Sequence, residues 1–203
     1  MADSTHILPT PAARQTYIVQ PQKFALWSFV MTVIMIFVSL SSAFVVYRGA
    51  VPADKRLLFD LPQVLWYNLA LVVFSSIPMI FATRAAHRGQ QTYALLGLAM
   101  TLVLGVLFLL GQVQAFGELT ASGLPMVDQR RTDNSVAYFY LMAGLHGVHI
   151  VSGLLVLLVV GIETLVKRYT PVRQALVYDM AGIFWHFLGL LWVYLFFFLR
   201  VTL

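Results

Sequence analysis

Three histidines stand inside otherwise uncharged stretches of this 203-residue chain. His146 and His149 lie three residues apart in Gly144-Leu145-His146-Gly147-Val148-His149, and His186 lies in Trp185-His186-Phe187. An imidazole can ligate a metal or haem or relay a proton. In an apolar run it also costs free energy unless something hydrogen-bonds it. Met142, His146, His149 and Gly153 recur at i, i+4, i+7 and i+11, which is one face of a helix, and Gly182, His186, Gly189 and Val193 repeat the pattern. Glycines beside histidines let a second helix approach closely and give each ring a hydrogen-bonding partner. The two stretches are consecutive and therefore antiparallel. At about 1.5 Å per residue all three rings fall near one depth, close enough to meet or to face one shared partner.

Three readings of these rings stay open: neutral imidazoles hydrogen-bonded within a bundle, contacts to a lipid headgroup or partner subunit, and metal or haem ligation. Zinc or copper would want a carboxylate or thiolate to complete the set, and none is at hand. A haem with two axial histidines would use His186 with His146 or His149. The chain has no cysteine, which removes disulfides, thiolate-held copper and iron–sulfur clusters.

The elements that must carry these residues follow from the composition, 60% hydrophobic and 10% charged, which leaves too little polar surface for a water-soluble domain. Uncharged runs extend over Phe24–Tyr47, Leu61–Thr83, Gly89–Gly117, Asn134–Ile162 and Met180–Leu199. Each is long enough to cross roughly 30 Å of hydrocarbon as a helix, and none alternates in polarity as a barrel strand does. The expectation is an all-α, polytopic membrane protein: a polar tail over 1–23, then a five-helix bundle over 24–203 with spans at about 24–47, 61–83, 91–116, 135–162 and 177–200. The tail does not read as a signal peptide, because the following run is longer than a signal core. No Asp, Glu, Lys or Arg occupies these uncharged runs, so ion-coupled transport and proton pumping lack their usual charged relay groups. Ser152 precedes Gly153, but the Gly-x-Ser-Gly spacing of an intramembrane nucleophile is missing. Asn68, Gln112 and Gln114 read as polar glue between helices, and Pro78 as a kink in the second span.

The net charge of +5 reflects loop cations rather than a nucleic-acid surface. Arg14, Lys23, Arg84, Arg88, Lys167, Arg168 and Arg173 lie on the N-terminal side; Arg48, Lys55, Arg56, Arg130, Arg131 and Arg200 lie opposite. These nearly balance. The tight, acid-free turn with Arg84 and Arg88 favours a cytoplasmic N-terminus and a C-terminus outside.

The stretch Phe139-Tyr140-Leu141-Met142-Ala143-Gly144-Leu145-His146-Gly147-Val148-His149, followed by Gly153, resembles the penultimate helix of subunit III of haem–copper (cytochrome c) oxidases. Trp185-His186-Phe187 with Trp192-Val193-Tyr194-Leu195-Phe196 resembles that family's last helix. Phe108-Leu109 with Gln112 fits its Phe-Leu-x-x-Gln pattern, and Phe24-Ala25-Leu26-Trp27 through Met35 to Ser42-Ala43-Phe44 resembles the helix opening its five-helix half. The resemblance covers about residues 24–200.

It implies a non-catalytic accessory subunit of a terminal oxidase in a bacterial plasma membrane. Such a subunit packs on subunit I, binds phospholipid and supports proton uptake and sustained turnover, while haems and copper reside in partner subunits. The residues expected to make helix-packing, lipid or subunit contacts are His146, His149, Gly153, Trp185, His186, Gly189, Trp192 and Gln112; no catalytic, cofactor or metal residue is expected. Three positions depart from the family pattern, with Val33, Ala115 and Gly189 where acids are often found. The related subunit of a quinol oxidase or nitric oxide reductase is an alternative, as is a haem-anchoring electron carrier.

Overall fold

The computed structural model describes residues 21–55, 61–126, 133–167 and 170–203. The N-terminal tail up to residue 20, and with it Arg14, lies outside the described residues, as do Arg56, Arg130, Arg131 and Arg168 of the loops. Five helices follow in order: α1 (Pro21–Ala50), α2 (Val64–His87), α3 (Gln91–Ala121), α4 (Ser135–Leu165) and α5 (Pro171–Thr202). All five are long and apolar enough to cross a membrane. At about 1.5 Å per residue the 31-residue helices α3 and α4 reach roughly 46 Å, so their ends stand beyond the hydrocarbon.

Contacts join α2 to α3, α3 to α4, α4 to α5 and α5 back to α2, making a ring of four. The first helix sits outside this ring, touching only α4 and α5 among the described elements. The last helix is the hub: 56% of its membrane-crossing window is buried inside the protein, against 28–33% for the other four. In a bilayer the outward faces are apolar as well, so van der Waals packing rather than water exclusion selects which face turns inward. On α1 the inward face is Val30, Val33, Phe37, Ser41, Phe44 and Arg48, spaced three and four residues apart.

Small residues set the tightest pairing. Between α2 and α3 lie Ala82, Ala85, Ala86, Ala94 and Gly97, all buried. A Cβ placed on Gly97 would come within 2.7 Å of the Pro78 carbonyl oxygen and 2.9 Å of Ala82 Cβ. The turn joining these helices closes on Gly89, whose φ of +70° is the left-handed conformation favoured at a helix C-terminus. Despite Pro78, α2 is continuous from Val64 to His87.

A polar clasp fixes the C-terminal end of α1. Arg48 Nη1 donates to Ser135 Oγ at 2.9 Å and faces Asp133 Oδ2 at 3.5 Å, while its Nη2 donates to the Leu203 carbonyl at 2.7 Å. Asp133 also accepts from Tyr47 Oη (3.3 Å), Ser135 N–H (2.9 Å) and Ser135 Oγ (2.7 Å). This network ties α1 to the start of α4 and the end of α5.

Candidate functional site

The three histidines do not converge. His146 is fully buried, its ring stacked on Trp192 (centroids 5.0 Å apart, planes 25°) with the edge of Phe108 at 5.9 Å. The hydrogen-bonding partner expected for this ring is absent among the described residues, since neither nitrogen has one. His149 turns toward α1: its Nδ1 lies 2.8 Å from the Leu145 carbonyl, and its ring meets Phe37 edge-on at 5.8 Å. His186 is half-buried and looks the other way, into a cleft with Lys23, Thr83, Arg84 and Asp179. The physical reason lies in the packing of α5. The face of α5 bearing Trp185, Leu188 and Trp192 meets α4, whereas the stripe of Gly182, His186 and Gly189 runs along α2, with Gly182 beside Thr83 and Gly189 beside Val72.

The other candidate residues are packing elements. A Cβ on Gly153 would lie 2.9 Å from Leu188 Cδ1, so this glycine brings α4 against α5. Trp185 slots against Gly105, where a Cβ would lie 2.6 Å from its ring, and donates from Nε1 to Ser75 Oγ at 3.0 Å. That bond joins α5 to α2 inside the bundle. Gln112 Oε1 accepts from Asn68 Nδ2 at 3.4 Å, joining α3 to α2, and Gly111 leaves the space for the Asn68 amide. Gln114, by contrast, bonds to Glu118 on the exposed side of its own helix. Trp66, an exposed residue of α2, meets Phe196 edge-on at 4.7 Å and carries Arg200 over its ring at 5.9 Å.

Two recesses meet at the first turn of α1. An apolar groove of about 480 Å³ opens between α1, α4 and α5, lined by residues including Leu26, Phe29, Val156, Met180 and Phe184. Around Gln22 it adjoins a polar mouth of about 880 Å³ bearing Lys23, His87, Arg173 and Asp179. His87 Nε2 and Asp179 Oδ1 are 2.7 Å apart, bridging the C-terminal end of α2 to the third turn of α5. The cleft holding Arg84 and His186 shares Lys23 and Asp179 with this mouth. Neither recess was legible in the sequence, because Lys23, His87 and Arg173 are far apart along the chain. Among the described residues, no group of three or more His, Asp or Glu is placed to hold a metal ion.

A family model described as cytochrome c oxidase subunit III matches residues 12–201 of the chain. The chain belongs to that family. Similar subunits III include one described as cytochrome bo(3) ubiquinol oxidase subunit 3 from Pseudomonas aeruginosa, 28% identical over 85% of this chain and 81% of the relative. A cytochrome c oxidase subunit 3 from Corynebacterium diphtheriae is 29% identical over 62% of the chain, and a probable one from Nocardia farcinica 30% identical over 63%. The match spans about three-fifths of the length of those two relatives. In this subunit III the positions where the resemblance expects acids are all buried: Val33 on the inward face of α1, Ala115 in the core and Gly189 against Val72. Apolar residues there avoid placing a carboxylate in a site without a counter-charge.

Proposed function

We propose that the chain is a non-catalytic accessory subunit of a haem–copper terminal oxidase in a bacterial plasma membrane. It packs on subunit I, holds a phospholipid and supports proton uptake and sustained turnover, while the haems and copper belong to its partner subunits. The observation that carries the lipid role is the apolar groove between α1, α4 and α5, which runs into a mouth bearing Lys23 and Arg173. An acyl chain suits the groove, and the two cations suit a phosphate. The absence of Asp, Glu, Lys and Arg from the uncharged runs supports the non-catalytic reading, because proton-translocating chains place such charged relays inside the membrane.

The N-terminal side is proposed to face the cytoplasm. Lys23, Arg84, Arg88, Lys167 and Arg173 gather there, whereas Arg48 on the opposite side is taken up in the buried pair with Asp133. The electron donor is proposed to be cytochrome c, with a quinol the alternative that the ubiquinol oxidase relative raises.

Purification from native membranes in mild detergent tests the assignment. The chain should co-isolate with a haem–copper subunit and with bound phospholipid detectable by mass spectrometry. A Lys23→Glu/Arg173→Glu variant should lose anionic lipid and inactivate faster over repeated turnover while starting at the wild-type oxygen-uptake rate. Isolation without any haem–copper partner would refute the assignment, and unchanged lipid content in the variant would refute the groove. Oxygen uptake driven by reduced cytochrome c against ubiquinol decides the donor. Against the haem-anchoring alternative, the rings it would pair have different neighbours: His146 stacks on Trp192, whereas His186 lies in the cleft with Thr83 and Arg84.

A further inference from the structure

We infer that the interior of the bundle holds an ordered water molecule bridging His146, Trp192 and the Asn68–Gln112 amide pair. Four residues on four helices bring unpartnered polar atoms into this region, each fully or almost fully buried: both nitrogens of His146, Trp192 Nε1, Gln112 Nε2 and Asn68 Oδ1. Phe108 links them spatially. Its ring meets Trp192 at 5.2 Å and His146 at 5.9 Å, and Gln112 stands one turn farther along the same buried face of α3.

Stacking satisfies neither ring. The indole N–H and the imidazole nitrogens lie in the ring planes, so with the planes only 25° apart a partner has to sit at the ring edges. The chemistry of the set specifies that partner. Trp192 and Gln112 contribute donors, Asn68 contributes an acceptor, and a neutral imidazole contributes one of each. Converging N–H donors disfavour a cation, and the absence of a positive group among these residues disfavours an anion. A molecule that both donates and accepts fits, and water is the smallest that does. Orphaned polar atoms in an apolar interior are otherwise strongly disfavoured, which gives the water its binding free energy. The role is adhesive: the water would join α2, α3, α4 and α5 at one point, completing the link begun by the direct Asn68–Gln112 bond.

The test is a map of the intact oxidase containing this chain, at a resolution that reveals ordered waters. A peak within about 2.7–3.2 Å of a His146 nitrogen and of at least one of Trp192 Nε1, Gln112 Nε2 or Asn68 Oδ1 is expected. No such peak, or direct side-chain bonds satisfying these atoms instead, overturns the inference. Ultraviolet resonance Raman spectroscopy gives a second reading on the same complex. The wild type minus Trp192→Phe difference should carry the signature of a hydrogen-bonded indole N–H, shifting toward the free form in His146→Phe. A free indole N–H in the wild type overturns the inference equally, and if Trp192→Phe fails to assemble the map alone decides.

Discussion

Removing Asp133 tests what holds α1 to the bundle. In Asp133→Leu the Arg48 guanidinium, whose side chain is 9% exposed, loses the carboxylate 3.5 Å away. Other acceptors would remain, among them Ser135 Oγ at 2.9 Å and the Leu203 backbone oxygen at 2.7 Å. Breaking one member of a buried ion pair costs about 3–5 kcal/mol. The surviving acceptors and the position near the end of α1 place the effect at the low end, about 3 kcal/mol, or roughly 100-fold in the unfolding equilibrium. The paired change Arg48→Met/Asp133→Leu should cost much less, about 1 kcal/mol, because replacing both charges with apolar groups removes the desolvation penalty with the attraction. Unfolding of the purified complex by graded addition of dodecyl sulfate, read by helical circular dichroism, compares Asp133→Leu, Arg48→Met and the paired variant in a double-mutant cycle. The reasoning fails if Asp133→Leu costs under about 1 kcal/mol, or if the double variant is as unstable as the sum of the singles.

His149→Leu should alter assembly or lipid retention rather than oxygen chemistry, by around 0.6–2 kcal/mol; loss of oxygen reduction in a fully assembled complex would contradict this. Gly97→Ala should destabilise by about 1–3 kcal/mol through overpacking, because its Cβ meets the Pro78 carbonyl and the Ala82 backbone at 2.7–3.0 Å. Gly182→Ala should cost less, since its nearest neighbour is the Thr83 hydroxyl at 3.2 Å; equal costs on the same dodecyl sulfate titration would show that backbone proximity is not the cause. An alkaline phosphatase reporter placed in the loop after Gly123 should be active and one at Gly89 inactive, and the reverse pattern would invert the proposed orientation.

The number and kind of helices were legible because a span announces itself through length and apolarity alone, both local properties. What the sequence conceals is the inward face. Leu110 and Val113 on α3 are exposed while Phe108 and Ala115 are buried, and nothing in their chemistry separates them, since lipid and protein interior are equally apolar. The stripes through His146 and His186 were correctly recognised as helix faces, but periodicity does not say which neighbour a face meets. Residues with polar atoms were better guides. Asn68 and Gln112 were read as glue and are bonded across α2 and α3. Arg48 and Asp133 read as loop charges, and they form the clasp instead, because the pairing depends on the ends of α1, α4 and α5 arriving together.

That clasp gives α1 two unlike ends. The C-terminal end is held by charge and hydrogen bonds through Arg48 and Tyr47, whereas toward the N-terminal end the contacts are apolar, such as Phe29 edge-on to Phe184 at 5.8 Å. The directional contacts therefore fix where α1 begins its descent beside α4 and α5, and the softer ones govern its separation from them near Lys23. Dispersion contacts can be exchanged for lipid contacts at little cost in a bilayer, whereas unpairing Arg48 cannot. Widening of the apolar groove should accordingly occur at its Lys23 end, beside the basic mouth, where a phospholipid headgroup would have to enter.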